Sequence, residues 1–171
     1  MIAKVDAEAP NAKATAQDQG VTSYPTIKYF PKGSTEAVPY QGGRSEKDFV
    51  EFLNKHAGTH RAVGGGLDAT GGTIAAMDAV VDKILAGKDG IADGLDELRK
   101  AATGDKDNKF AQYYLKVAEK AKDNAGYVEK ELGRLQGLMS KGGLSREKSD
   151  DMMSRSNILR RFRLSSGKDE L

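Results

Sequence analysis

The fold is decided around residues 22–41, which read TSYPTIKYFPKGSTEAVPYQ. Residues 22–25 end in Tyr-Pro and indicate a turn, and the β-branched and aromatic run at 26–30 predicts a strand. Pro-Lys-Gly-Ser at 31–34 predicts a hairpin turn, and residues 37–41, which contain a proline, predict a short edge strand. The stretch therefore predicts a β-hairpin that follows a proline-containing turn.

Regular elements are predicted on both sides of this hairpin. Residues 2–7 alternate in polarity, which favours a strand, and the alanine-rich residues 11–20 favour a helix that ends in glycine. After the hairpin, Ser45 and Asp48 resemble a capping box and predict a helix that ends at Gly58. The apolar face of that helix is predicted to comprise Phe49, Phe52, Leu53 and the stem of His56.

The character of the sequence changes at residues 63–66, Val-Gly-Gly-Gly, which have the composition of a linker. Residues 67–164 contain no proline and no strand signal. Apolar residues recur there at helical spacing within residues 74–85, 91–102, 110–121, 128–139 and 152–162. The sequence therefore predicts an α/β segment at 1–62, an all-α five-helix domain at 67–164 and a flexible tail at 165–171.

Composition excludes several classes of protein. The 171 residues include 27 basic and 25 acidic side chains, a formal charge of +2, which gives no general attraction to nucleic acid or to an anionic membrane. No apolar run approaches the roughly 20 residues of a membrane-spanning helix. There is no cysteine and there are only two histidines, so we expect no disulfide, thiolate nucleophile or metal site. We also expect no cofactor.

The two ends of the chain give different indications of location. The last four residues, Lys168, Asp169, Glu170 and Leu171, form a retrieval address of the endoplasmic reticulum, which implies the KDEL receptor as a partner. A lumenal protein needs a signal peptide, yet charged residues follow Met1 where an apolar region should lie. We therefore expect the chain to be a fragment of a longer lumenal protein.

Several motifs, taken in order, resemble the second half of a thioredoxin-fold domain of the protein disulfide isomerase family. They are Val-Asp-Ala at 5–7, Tyr-Pro-Thr at 24–26, Ile-Lys-Tyr-Phe at 27–30 and Tyr-Gln-Gly-Gly-Arg at 40–44. The helical region at 67–164 resembles the D domain of Windbeutel-type and related fungal and plant disulfide isomerases. Any one motif is weak, whereas the ordered set is specific.

The resemblance implies roles for three residues. Pro25 would be the family's cis-proline beside the active-site sulfurs, and the backbone at Tyr24 would pair with an extended substrate. Arg44 would match an arginine that lowers the pKa of an active-site cysteine. Without the resemblance, Pro25 is read as an ordinary trans turn proline and Arg44 as a solvated loop residue.

In the family pattern, the first strands and the helix with the CxxC motif would precede residue 1. Their absence from this sequence affects both chemistry and folding. Thiol–disulfide exchange requires a thiolate, so this cysteine-free chain has no catalytic residue of its own. The resemblance also implies that the central strand of the sheet is missing. Because unpaired backbone groups in a buried sheet are costly, we predict that residues 1–60 hold no native sheet in isolation.

Other candidate residues have a functional and a structural interpretation. His56 and His60 are predicted to be a packing residue and a surface residue rather than ligands. A basic cluster near the last helix either contacts an acidic partner or complements the helix C-terminus: Arg155, Arg160, Arg161 and Arg163. Of Tyr113, Tyr114 and Tyr127, Tyr114 is predicted to lie in the core, and Tyr113 is the better candidate for an exposed aromatic contact.

The resemblance, together with the retrieval address, implies a folding factor related to protein disulfide isomerase in the endoplasmic reticulum lumen. The complete protein would rearrange disulfides in unfolded or disulfide-containing secretory proteins, and this chain would supply the proline loop, the D domain and the retrieval signal. The alternative is a redox-inactive lumenal chaperone or scaffold that acts through the helical domain. Whether that domain forms a homodimer stays open at this stage.

Overall fold

The computed structural model describes residues 2–87, 91–104 and 106–163, without the side chains of residues 91 and 92. The chain divides into two compact units, Met1–Thr59 and His60–Leu171. Nine regular elements lie in the described residues. They are α1 (Lys13–Asp18), β1 (Lys28–Tyr29), β2 (Val38–Pro39), α2 (Glu46–Ala57), α3 (Ala75–Leu85), α4 (Ile91–Gly104), α5 (Lys109–Asp123), α6 (Tyr127–Ser140) and α7 (Arg146–Arg161).

The sheet of the first unit is a two-stranded antiparallel hairpin. Lys28 pairs with Pro39 and Tyr29 with Val38, and the backbone N–H of Tyr40 donates to the carbonyl of Ile27 at 2.9 Å. Both strands are shorter than predicted. The predicted strand at 2–7 is wrong, since those residues form no strand and pair with none of the described chain. A strand needs a neighbour for its backbone groups, and the sequence pattern alone does not supply one.

The helix α2 begins and ends as predicted. The Ser45 side chain accepts from the Asp48 backbone N–H while the Asp48 carboxylate accepts from the Ser45 N–H, and Gly58 ends the helix in the left-handed conformation. Its packing partners are aromatic side chains from the hairpin and the residues beside it. The rings involved are Tyr29, Tyr40, Phe49, Phe52 and His56, at centroid separations of 4.2–5.7 Å.

Leu53 does not belong to this cluster. It is 41% exposed, so its prediction as part of the buried face is wrong, because the hairpin covers only the neighbouring stripe of α2. None of residues 2–59 is fully buried. The first unit therefore has a ring cluster but no closed hydrophobic core.

The second unit has the five helices that the apolar stripes predict. α4 packs against α3 and α5, and α7 packs against α3, α5 and α6. One continuous core lies between them and includes Met77, Val81, Leu98, Tyr114, Val117, Leu135, Ile158 and Leu159. A core of this kind removes the apolar stripe of each helix from water, which is the main driving force for folding.

Residues 60–71 fold against α7 within this second unit. Arg61 and Leu67 form a β-bridge across the turn at 64–66, whose three glycines all have positive φ (81°, 102° and 77°), a conformation that other residues avoid. The buried Asn157 side-chain amide donates to the carbonyls of Asp68 and Gly71 at 2.7 and 3.0 Å. These bonds hold the segment on the helix by satisfying backbone groups that the turn leaves free.

Candidate functional site

The turn before β1 contains the proline and the tyrosine to which the family resemblance assigns substrate pairing. The peptide bond between Tyr24 and Pro25 is cis, and the Tyr24 side chain is 61% exposed. The Thr26 hydroxyl donates to the carbonyl of Ser23 at 2.6 Å and closes the turn. The backbone N–H and C=O of Tyr24 have no hydrogen-bond partner among the described residues. The loop thus has one backbone donor and one backbone acceptor that the described chain leaves free.

Arg44 lies at the end of a glycine loop that Tyr40 and Asp48 shape. The Tyr40 hydroxyl donates to the carbonyl of Gly43 at 2.6 Å. A Cβ atom on Gly42 would lie 2.5 Å from that hydroxyl, and one on Gly43 would lie 2.2 Å from an Asp48 carboxylate oxygen. The close approach explains the two glycines. Arg44 is exposed, and its side chain forms no ion pair or hydrogen bond within the described part of the chain.

The Asp48 carboxylate at this loop is held in its charged form. Hydrogen bonds from the Ser45 side chain and then from the Ser45 backbone lower the pKa of Asp48. A charged group at the first turn of α2 also complements the helix dipole. Its observed contacts are those of a helix cap, which positions the loop that carries Arg44.

The two histidines have ordinary packing and turn contacts. Tyr29 donates its hydroxyl to the backbone carbonyl of His56 at 3.0 Å, and the His56 ring lies against Phe52. In the second unit, His60 Nδ1 lies 2.9 Å from the Thr70 hydroxyl. Across the described ranges, no three His, Asp or Glu side chains are grouped so as to hold a metal ion. No helix in those ranges is long and apolar enough to cross a membrane.

The two adjacent tyrosines of α5 are both buried. Tyr113 is 6% exposed, so its prediction as an exposed aromatic contact is wrong, because α6 and α7 cover that side of α5 as well. Tyr114 is 0% exposed, which confirms its predicted place in the core. Burial raises the pKa of both phenols. Spacing on one helix predicts a single inward face, whereas a central helix is covered on more than one side.

Tyr114 belongs to a polar cluster that sequence reasoning missed. Its hydroxyl donates to the Asp78 carboxylate and accepts from the backbone N–H of Ile74 at 3.2 Å. Arg161 pairs with Asp78 at 3.2 Å and with Asp82 at 2.8 Å. The cluster joins α3, α5 and α7, whose residues are far apart in sequence, so no local pattern could have indicated it.

The basic cluster of α7 is engaged inside the second unit. Arg155 pairs with Asp151 and lies over the ring of Tyr113, while Arg160 donates to the side-chain carbonyl of Asn157 at 2.8 Å. Arg163 lies beyond the helix and pairs with Glu129 at 2.7 Å. The remaining member, Arg161, has the carboxylate partners given above. Asn157 is a polar residue among the buried apolar residues of α7. It is the local sequence signal that a buried polar contact forms here.

These features define a protein in which a hairpin unit with a cis-proline turn precedes a five-helix domain with a core of its own. Residues 72–162 match the family described as endoplasmic reticulum protein ERp29, C-terminal domain. That match covers more than half of the chain and spans all five helices of the second unit.

Relatives match along the whole chain. It is 57% identical over 173 residues to the protein disulfide-isomerase tigA of Aspergillus niger, covering 100% of this chain and 46% of the relative. It is 49% identical over 164 residues to the protein disulfide-isomerase erp38 of Neurospora crassa, covering 94% and 44%. A rice protein, protein disulfide isomerase-like 2-2, is 34% identical over 167 residues, covering 95% and 44%. The chain belongs to the protein disulfide isomerase family, with the helical C-terminal domain of ERp29, and spans somewhat under half the length of these relatives.

Proposed function

We propose that this chain forms part of a folding factor of the endoplasmic reticulum lumen, whose complete form catalyses thiol–disulfide exchange in secretory proteins. The observation that carries the proposal is the 57% identity to a protein disulfide-isomerase over the whole chain. The description of the ERp29 family and the retrieval address at 168–171, which lies outside the described residues, support the location.

In this proposal the first unit is the second half of a thioredoxin-like domain and recognises substrate backbone. The free N–H and C=O of Tyr24 would pair with an extended substrate strand beside Pro25. Exchange requires a thiolate, and these 171 residues have no cysteine, so the reacting sulfurs would come from elsewhere in the complete protein. Arg44, exposed and without an ion pair in the described chain, would be available to lower the pKa of such a cysteine.

The activity is tested on the protein as it exists in cells, captured with an antibody against the second unit. We expect the captured protein to catalyse the reduction of insulin disulfides by dithiothreitol, which is oxidised in turn, and we expect prior treatment with maleimide to abolish that catalysis because it blocks thiolates. The 171-residue chain expressed alone is the matched control and should give no turnover. A captured protein without exchange activity would refute the catalytic role.

Substrate pairing at Tyr24 is tested by photo-crosslinking to a reduced, unfolded secretory protein. We expect Tyr24→p-benzoylphenylalanine to capture the substrate in preference to Phe30→p-benzoylphenylalanine. Phe30 is a suitable control because it is also aromatic and 49% exposed. Equal capture at the two positions would contradict a specific role for the Tyr24 backbone.

The lumenal location is tested by deletion of residues 168–171 from the complete protein. Because the retrieval address is read by a receptor, its loss should move the protein from the cell into the medium. A matched variant with Ser165 and Ser166 exchanged for alanine keeps the address and should stay inside the cell. Equal retention of both variants would argue against retrieval.

A second function, a redox-inactive chaperone or scaffold, is favoured by one specific observation. The helical unit has its own closed core, and the chain has no cysteine, so binding through this unit would not depend on thiol chemistry. We expect the 171-residue chain to bind a carboxymethylated, permanently unfolded protein, which offers no thiol or disulfide. Absence of binding in an ultracentrifugation or light-scattering assay would refute this function.

A further inference from the structure

We propose that a groove of the second unit binds an extended peptide segment in which one apolar side chain is flanked by an acidic and a basic residue. The inference rests on the proposed function of binding unfolded chains and assigns that function to one surface. The groove has a volume of about 530 Å³ and is lined by residues of the small hairpin that the Arg61–Leu67 bridge closes (the 60–67 hairpin) and by the N-terminal parts of α5 and α7. A space of this size holds a few side chains rather than a folded domain.

One wall of the groove is apolar. Leu67 from the hairpin and Phe110 from the first turn of α5 line it, and both side chains are half-buried. The parts of these side chains that remain exposed are in contact with water. An apolar ligand side chain placed against them would remove that surface from water, which is the usual source of affinity in such sites.

The groove also contains a hydroxyl without a partner. Ser154 lines it and is 3% exposed, yet its Oγ makes no hydrogen bond within residues 2–87, 91–104 or 106–163. Ser156, on the same helix and 1% exposed, instead donates to the carbonyl of Met152 at 2.9 Å. Unlike the Tyr113 hydroxyl, the Ser154 Oγ is not sealed from solvent, so a ligand in the groove can form a hydrogen bond with it in place of water. A peptide backbone offers both a donor and an acceptor.

Charged side chains line the rest of the groove, three of each sign. Four of them form two ion pairs within the unit: Arg61–Asp150 at 2.7 Å and Lys109–Asp151 at 2.8 Å. The other two, Arg146 and Glu147, are exposed and form no ion pair or hydrogen bond with the described chain. They are adjacent in sequence and opposite in charge. Their complement is a ligand that carries an acidic and a basic group close together, which commits the proposal to a mixed-charge peptide.

Binding is tested with the full chain and a fluorescein-labelled peptide of sequence Gly-Asp-Phe-Lys-Gly, blocked at its C-terminus, by fluorescence anisotropy. Arg146→Glu should weaken binding by about fivefold, because an attraction at the rim becomes a repulsion. Lys148→Glu is the matched control: it makes the same charge change in the same turn of α7, on an exposed residue that does not line the groove. It should bind as the unmodified chain does.

The hydroxyl is tested in the same way. Ser154→Ala should weaken binding by about fivefold, since the ligand loses one hydrogen bond, whereas Ser156→Ala should not change it. A peptide with serine in place of phenylalanine should bind about tenfold more weakly or worse, because it leaves the apolar wall uncovered. Circular dichroism checks that both alanine variants fold, since a folded variant keeps the helical signal of the unmodified chain.

The outcomes separate this inference from the function on which it rests. If the chain binds the peptide but Arg146→Glu and Ser154→Ala bind it equally well, the groove is not the site. If the chain binds carboxymethylated protein but not the peptide, the groove assignment is overturned and the binding function stands. If it binds neither, both are overturned.

Discussion

Tyr113 and Tyr114 are adjacent on α5 and almost equally buried, yet only one hydroxyl has partners. The Tyr114 hydroxyl bonds to the Asp78 carboxylate and to the backbone N–H of Ile74, whereas the Tyr113 hydroxyl is buried without a hydrogen-bond partner in the described residues. Removing each hydroxyl as a phenylalanine substitution preserves the ring and its packing. The pair therefore isolates the energetic value of the hydroxyl contacts.

The expected magnitudes follow from these contacts. A hydrogen bond to a charged group contributes about 1.5–3 kcal/mol, and Tyr114→Phe also leaves the Ile74 amide without its acceptor, so the free energy of unfolding should fall by about 2–3 kcal/mol. Tyr113→Phe removes a buried hydroxyl that loses its hydrogen bonds to water on folding and forms none with the described residues. That change should leave the free energy of unfolding unaltered or raise it by up to about 1 kcal/mol.

The assay is equilibrium unfolding of the full chain in urea, followed by far-ultraviolet circular dichroism, which reports mainly on the helices of the second unit. In an Asp78→Asn background the cost of Tyr114→Phe should shrink, because the charge that strengthens the bond is gone. Equal destabilisation by Tyr113→Phe and Tyr114→Phe would refute the reasoning. So would an undiminished cost of Tyr114→Phe in the Asp78→Asn background.

Two further stability predictions concern the 60–72 segment and its helix. The hydrogen bond from Arg61 lowers the pKa of Asp150. The Arg61–Asp150 pair therefore stabilises the fold fully at pH values above the ordinary carboxyl pKa of about 4, and this stabilisation is lost as the pH falls through the lowered pKa. The free energy of unfolding of Asp150→Asn should therefore be lower than that of the unmodified chain at neutral pH and equal to it at acid pH. A difference between the two that does not change with pH would contradict this. Gly72 has φ +82°, and a Cβ there would lie 2.3 Å from the Cβ and 3.0 Å from the backbone Cα of Ser154, so Gly72→Ala should cost about 2–4 kcal/mol. Gly142→Ala, at φ +70° with open space around it, should cost about 1 kcal/mol in the same urea assay, and equal costs would show that the close approach is unimportant.

Local signals in the sequence were sufficient for the helices and for the turn. The Ser45–Asp48 pair and Gly58 gave the bounds of α2, and the Tyr-Pro dipeptide placed the turn whose peptide bond is cis. Residues 2–7 show the limit of the same reasoning. Alternating polarity favours a strand, but a strand forms only where another backbone pairs with it, and pairing is not a property of six residues.

The candidate site likewise has residues that local motifs indicate and features that only the fold reveals. The sequence indicated Tyr24, Pro25 and Arg44 through motifs of adjacent residues, and their roles stay predictions. It could not indicate that the backbone groups of Tyr24 are free. Whether a backbone group has a hydrogen-bond partner depends on where the rest of the chain lies, which no local motif specifies. Ser154 likewise is one of several serines in α7, and only the fold places it in the groove, whereas the Ser156 hydroxyl bonds to the Met152 carbonyl of the same helix.

The sequence by itself determined the elements of this protein: a hairpin after a proline turn, a capped helix and five amphipathic helices without a cysteine among them. Those features depend on capping, turn chemistry and apolar spacing, which act over a few residues. The tertiary structure alone decided that Tyr113 is buried and that Asp78, Tyr114 and Arg161 meet. It also decided that the hairpin at 60–67 shares a groove with α5 and α7. These depend on contacts between residues that are tens of positions apart, and their energies exist only when the helices are packed together.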